Sequence, residues 1–235
     1  MHSVIKHRLR PQSVQAIRRV FEELDYRLLG EVYCHEGGDE FWRARGRRCQ
    51  RLGIKLAEVL KRRLKPGGRS LYVGAGVAEL PPLIMETVEN GRSVVACNLR
   101  SEEVQELNRA AKDLPVRFEH RDATSVRGSF DHLWMVSVLN DPECYPALSE
   151  LSYGRANPVT FDPHRYTRER RQVARLVDRC LTNLVRPGLV TTSTEEAVWI
   201  ADWCAQRYIH WKVERRTYPT ALVEDPICFI RVGTR

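Results

Sequence analysis

No apolar run in this 235-residue chain approaches the ~20 residues of a membrane-spanning helix, which excludes that class. The opening residues 1–8 lack the long apolar stretch and small-residue cleavage site of a secretory signal, so a cytoplasmic location is expected. Cys-x-x-Cys pairs are also missing. The seven cysteines (Cys34, Cys49, Cys97, Cys144, Cys180, Cys204, Cys228) are odd in number and scattered, which argues against a disulfide framework or a zinc knuckle and for reduced, mostly buried thiols. No repeat and no low-complexity segment interrupts the chain. With 43% apolar and 29% charged residues, what remains is the composition of a soluble globular protein long enough for a full core.

Acid is scarce only at one end. Residues 1–69 carry 17 Lys and Arg against 8 Asp and Glu, whereas the rest carries 21 against 22, so the net +8 is N-terminal. Arg43, Arg45, Arg47, Arg48 and Arg51, then Lys61, Arg62, Arg63 and Lys65, suit either a phosphate backbone or the solvated faces of two helices, and the second reading is the commoner one.

Apolar spacings of three and four predict a helix over residues 11–29 and a second pattern over 52–64, closed by Lys65-Pro66-Gly67-Gly68. Short apolar runs then alternate with helical stretches, the signature of βα units and a parallel sheet. Strands are expected at 70–73, 93–97, 116–119, 132–139 and 189–193, with helices at 78–90, 101–113, 167–184 and 198–208 between or after them. Segments 211–222 and 227–232 read as two closing strands, antiparallel because their connection is so short. Residues 140–166, rich in proline and aromatics, are too long for a simple turn and read as a binding loop.

The chemistry concentrates in Leu71-Tyr72-Val73-Gly74-Ala75-Gly76-Val77-Ala78-Glu79, where a strand runs through Gly-x-Gly into a helix. Glycines allow a sharp turn and close backbone approach to a ligand, and the helix start offers unpaired amides. Asn98 follows the second strand, 24 residues after Gly74, where nucleotide-binding folds place the group that meets the ribose. Arg121-Asp122-Ala123 follows the third strand.

In these motifs the chain resembles the class I S-adenosylmethionine-dependent methyltransferases, from about Gly67 to the C-terminus. The resemblance implies a Rossmann-like three-layer α/β sandwich, with a seven-stranded mainly parallel sheet, an antiparallel closing strand and added N-terminal helices. It implies a helical segment over 1–66 packing on or capping the active site, and a cofactor-binding catalytic domain over 67–235. It places S-adenosyl-L-methionine against Tyr72, Gly74, Ala75, Gly76, Asn98, Leu99, Asp122, Ala123 and Leu139. Gly74 and Gly76 would border its methionine part, Asn98 the ribose, and Asp122 with Ala123 the adenine. The chain departs from the family at Tyr72, where an acid is usual, at Ala78, usually the third glycine, and at Asn98, usually a carboxylate.

Methyl transfer prescribes no fixed catalytic motif, because the cofactor carries the activated group and the protein aligns the acceptor. His164 and Tyr166 in the long segment, and Tyr33, His35 and Glu36 before the second helical pattern, are candidates for lining an acceptor pocket, a histidine being a suitable base near neutral pH. Asp141 belongs to Asn140-Asp141-Pro142-Glu143, faintly like the Asp/Asn-Pro-Pro-aromatic motif of amino-methylating enzymes, although a helix cap is the default reading. No metal is expected. The leading function is methyl transfer to a small molecule. The alternatives are a nicotianamine-synthase-like aminobutyrate transferase, suggested by Leu80-Pro81-Pro82, and an RNA methyltransferase or silent RNA-binding homologue. The oligomeric state is open, a homodimer among the options.

Overall fold

Apolar residues at helical spacing form α1 (Pro11–Glu23), which buries Ile17, Val20 and Phe21 and starts with a proline where no amide bond is lost. The structure, a computed structural model, describes residues 8–33, 38–222 and 225–233. The helix expected over 11–29 is in fact two. Leu24 turns to extended backbone (φ −64°, ψ 131°), and α2 (Tyr26–Tyr33) begins afresh, with Asp25 Oδ1 accepting from the amides of Arg27 and Leu28, each at 3.0 Å. Periodicity did not register the break because Leu24 and Leu29, on either side of it, both stay buried. α3 (Gly38–Lys61) is longer than its apolar pattern, since its first half is arginine-rich. Cys34, His35 and Glu36 lie outside the described residues.

β1 (Arg69–Val73), β2 (Ser93–Asn98) and β3 (Phe118–His120) pair in parallel, with Val73 opposite Cys97 and Asn98 opposite His120. The helix after β1 is irregular. A 3-10 turn (Val77–Glu79) leads into α4 (Leu80–Ile84) and then a π turn (Met85–Glu89), and Pro81 and Pro82 sit at the start of the α-helical part. α5 (Ser101–Ala110) links β2 to β3. With α1 to α3, these elements form one compact unit, Met1–Asp122 and Pro219–Glu224.

The other compact unit, Ala123–Tyr218 and Asp225–Arg235, holds β4 (Phe130–Met135), α6 (Pro146–Ser152), α7 (Pro163–Thr182), β5 (Leu184–Ser193), α8 (Ala197–Gln206), β6 (Trp211–Val213) and β7 (Ile227–Val232). β4 and β5 are parallel, while β7 runs antiparallel to both β5 and β6. The strand order of the seven-stranded sheet is β3-β2-β1-β4-β5-β7-β6, the mainly parallel arrangement expected, with β7 as the antiparallel strand.

Several expected boundaries move: β4 spans 130–135 rather than 132–139, so Leu139 follows the strand, and the closing strand expected over 211–222 is confined to β6. α7 starts at Pro163 rather than 167, because Asp162 caps it by accepting from the amides of His164 (2.8 Å) and Arg165 (3.0 Å); His164 and Tyr166 therefore stand in its first turn, not in a loop. β5 starts at Leu184, so Pro187 and Gly188 lie inside strand pairing where a helix stop was expected. Among the described residues no helix is long and apolar enough to cross a membrane.

Candidate functional site

Gly74 leaves β1 with φ +67°, a conformation that side chains rarely adopt, and this lets the chain turn sharply at the carboxyl end of the strand. Two hydrogen bonds set the loop's course. Ala75 N donates to Cys97 O at 2.9 Å, and Ala75 O accepts from Asn98 Nδ2 at 2.8 Å. Gly76 N donates to the Glu79 carboxylate at 2.9 Å, so the first turn of the following helix is closed by its own acid.

Asn98 is the junction of these strand ends. Its Nδ2 donates to Ala75 O and also to Glu103 Oε2 (2.9 Å), its Oδ1 accepts from Arg100 N (2.8 Å), and its backbone carbonyl accepts from Arg121 N (3.0 Å). At 5% exposure, with both amide hydrogens engaged, the side chain holds the loop and the start of α5 together, while the backbone carbonyl takes the exit of β3. A ribose hydroxyl could meet it only at the remaining capacity of Oδ1. Leu99, next in sequence, is 62% exposed, an apolar side chain left open at the carboxyl end of β2. Asp122 is exposed and Ala123 buried.

Tyr72 points elsewhere. Fully buried, its hydroxyl donates to Glu86 Oε1 at 2.7 Å, while Ser70 Oγ and Arg92 Nε (2.9 Å) share Glu86 Oε2. Arg92 further donates to Lys65 O (2.6 Å) and Ser70 Oγ (2.9 Å). Burial, then the Glu86 charge, pushes the Tyr72 phenol well above its ordinary range, so it is a fixed donor. The position where the family carries an acid thus closes a buried network that ties β1 to the π turn and to the turn before β2. Apolar periodicity cannot reveal it, because a charged residue in a helical or turn pattern carries no mark of burial.

The segment after β4 is organised by a residue that no motif singles out. Glu196, fully buried just before α8, accepts from the backbone amides of Ser137 (2.9 Å), Leu139 (2.5 Å) and Asn140 (3.1 Å). Burial is the largest effect on its carboxyl and raises its pKa above the ordinary carboxylate value, the amide donors opposing it. Ser137 is held at φ +56°, a left-handed conformation for a non-glycine residue. The turn bearing Glu196 is itself fixed, with Asp225 Oδ1 accepting from Thr194 N (3.0 Å), Thr194 Oγ1 (2.7 Å) and Glu195 N (3.3 Å). Leu139 is fully buried here. Asn140 is 2% exposed, and neither Nδ2 nor Oδ1 has a hydrogen-bond partner among the described residues.

The acid-base candidates Asp141, His164 and Tyr166 all belong to this unit. Asp141 Oδ1 accepts from the amides of Glu143 (2.9 Å) and Cys144 (2.8 Å), the turn-capping arrangement. His164 is exposed, and Tyr166 packs on Phe161 with ring centroids 5.7 Å apart.

No family model matches the sequence, and none of the curated proteins matches it. Solved structures do resemble it. Magnesium protoporphyrin IX methyltransferase from Synechocystis PCC 6803, solved with bound S-adenosylmethionine, is 14% identical, with a TM-score of 0.55 over 94% of this chain and 97% of that one. TYW2 from P. horikoshii, in complex with MeSAdo, is 10% identical, with a TM-score of 0.50 over 78% of this chain and 64% of that one. Trm5b from Pyrococcus abyssi gives a TM-score of 0.49 at 12% identity over 78% of this chain, which spans 49% of its length. The strand order and the first two of these similarities show that the chain has a Rossmann-like fold of the kind seen in those two structures.

Proposed function

We propose that the chain is an S-adenosylmethionine-dependent methyltransferase acting on a small-molecule acceptor. The observation that carries this reading is the loop Gly74-Ala75-Gly76, turned at positive φ off β1 and tied on both faces of Ala75 to the end of β2. A loop so placed leaves backbone, rather than side chains, at the ligand side of the sheet edge. Residues at the ends of β1 to β3 support the reading: Gly74 and Gly76 for the cofactor's amino-acid part, Leu99 for an adenine face and Asp122 beside it. An exposed leucine beside a nucleotide loop is what a flat heteroaromatic ring would cover.

When bound, the cofactor supplies a methyl group on a sulfonium, which an acceptor's lone pair takes as the electron pair of the breaking bond returns to sulfur. The protein's share is to hold the acceptor in line and exclude water. Asn98 acts indirectly, keeping the loop in shape, and Tyr72 anchors β1 from behind.

A small acceptor is favoured over RNA by the orientation of α3. At about 100° per residue, Arg43, Arg47 and Arg51 fall on one exposed face, and Arg62, just past the helix end, is exposed too. Trp42, Cys49, Gly53, Leu56 and Leu60 make the opposite, buried face, with Gly53 against Pro81 directly after the glycine loop. The neighbour matched over nearly its whole length, the protoporphyrin enzyme, also acts on a small molecule. Calorimetric titration with S-adenosylmethionine and S-adenosylhomocysteine tests the reading. Binding is expected, weakened at least tenfold in Gly74→Val and Asp122→Ala; a wild type that binds neither at millimolar ligand overturns it.

A further inference from the structure

We propose that the outer face of α7 is a docking surface for the phosphate backbone of a single-stranded nucleic acid, held by Arg168, Arg171, Arg175 and Arg179. The inference does not rest on the methyltransferase reading and leaves its acceptor untouched. It starts from composition, since α7 carries six arginines and no lysine. At about 100° per residue four of them fall within an arc of about 80°, with Val173, Leu176, Val177 and Cys180 on the buried side opposite. All four are exposed. At 1.5 Å per residue they stand about 4.5, 6 and 6 Å apart along the axis, a single file about 17 Å long.

A helix face that merely meets water is supported by opposite charges at steps of three or four, whereas like charges at those steps oppose the helix. Here Arg171, Arg175 and Arg179 follow one another at steps of four. None of the four arginines makes a hydrogen bond or an ion pair among the described residues. The two acids of α7 are engaged elsewhere. Glu169 accepts from Leu148 N (2.9 Å) and Arg165 Nε (2.8 Å), and Asp178 Oδ1 accepts from Trp203 Nε1 (2.9 Å) and Arg207 Nη2 (2.7 Å). Asp162, whose charge reaches Arg168, accepts the two cap bonds. The fold thus holds four like charges in line against the helix's own stability, and a polyanion laid along the file would relieve that repulsion.

The chemistry of the partner follows from the file. Successive phosphates of an extended nucleic-acid strand carry one charge per link at a comparable interval, so they meet it without any register to find. Guanidinium forks pair phosphate oxygens bidentately, which accounts for arginine at every position. A lipid surface suits the helix less well. The apolar side of α7 is buried, and between the arginines the exposed face offers Thr167, Gln172 and Ala174, with no large apolar side chain to enter a bilayer. An acidic protein segment would have to present its carboxylates in matching register. Contacts to the backbone alone carry no sequence information, so the binding is insensitive to sequence.

The test is fluorescence anisotropy of a labelled 20-nucleotide oligouridylate on the full chain across a salt series. Each phosphate contact contributes about 0.7 to the log-log slope, so the quadruple variant Arg168→Gln, Arg171→Gln, Arg175→Gln, Arg179→Gln should flatten it by about 3. Because the substitutions remove repulsion, the Tm of that variant should be no lower than wild type, which separates lost binding from lost fold. The control Arg170→Gln, Arg186→Gln, Arg215→Gln, Arg216→Gln removes the same charge from exposed positions of the same unit and should flatten the slope by less than about 1. Lysine at all four file positions should keep the wild-type slope at several-fold lower affinity, and an oligodeoxythymidylate of equal length should bind like the oligouridylate. An unchanged slope in the glutamine variant, a control that flattens it equally, or a Tm lowered by more than about 5 °C in the glutamine variant overturns the proposal. Two further results also overturn it by naming another partner. Tighter, file-dependent binding to phosphatidylcholine vesicles containing phosphatidylserine would make the face a membrane contact. Poly-L-glutamate displacing the label as well as unlabelled oligouridylate does, at equal charge concentration, would make it a contact for acidic protein.

Discussion

Glutamates in this protein do work that caps do elsewhere. Glu89 accepts from Arg10 N ahead of α1, Glu106 from Asp25 N ahead of α2, Glu169 from Leu148 N in α6, and Glu196 from three amides after β4. Each satisfies donors that a helix start or loop leaves open, and each reaches across the sequence to do so. Truncation should therefore cost more than a surface change: Glu196→Ala is expected to destabilise by about 1–3 kcal/mol, the usual penalty for orphaned buried donors, and Glu196→Gln by less, because one oxygen remains. Urea unfolding measures both. The carboxyl also sets a pH dependence. Its folded pKa is raised, so the folded state holds the proton more tightly than the unfolded chain. Its contribution is complete below the unfolded carboxylate value and declines as pH rises through the folded one. Wild-type stability should fall relative to Glu196→Gln across that window; a rise instead would mean the amide donors outweigh burial. Gly74→Ala, at φ +67°, should cost about 1–2 kcal/mol of stability without any change in core packing.

At the scale of elements, what the sequence revealed and what it hid follow from the range of the forces involved. Strands β1 and β2 and helix α5 show in local apolar pattern, so their positions were legible, and with them the places of Gly74 and Asn98 at the strand ends. The Glu86–Arg92 and Glu196 networks pair residues with intervening turns or strands, and a charged residue in a helical pattern reads as solvent-facing whether or not it is buried. The same limit explains α7. A proline after an aspartate reads as loop, yet Asp162 caps that helix and Pro163 opens it, which carries His164 and Tyr166 out of the loop. The two cap bonds depress the Asp162 pKa below the ordinary aspartate value, the Arg165 amide most and then that of His164 favouring the charged form. A depressed carboxylate contributes above its unfolded pKa and stops contributing as pH falls through the folded one. Amide exchange of His164 and Arg165 should thus be several-fold faster in Asp162→Ala than in wild type near neutrality, with the difference vanishing in strong acid. Unchanged exchange would mean α7 is held at its start by packing alone.

For the molecule as a whole, a formal charge of +8 concentrated before residue 70 makes some attraction to polyanions unavoidable. Whether that attraction belongs to catalysis is a question of orientation. Arg43, Arg47 and Arg51 stand on the exposed face of α3, away from the face that packs on the glycine-loop helix. Binding of a 20-nucleotide single-stranded RNA at low ionic strength should be weak and insensitive to sequence. It should also be steeply salt-dependent, each neutralised phosphate contributing about 0.7 to the log-log slope. The triple reversal Arg43→Glu, Arg47→Glu, Arg51→Glu should then flatten that slope by about 2, at three phosphates lost, while S-adenosylmethionine affinity stays within twofold of wild type. Fluorescence anisotropy across a salt series and calorimetry on the same preparations measure the two quantities side by side. If the reversal instead lowers RNA affinity for one sequence far more than for others, and cofactor affinity changes with it, the basic face is part of the acceptor path. The small-molecule reading then gives way to an RNA substrate.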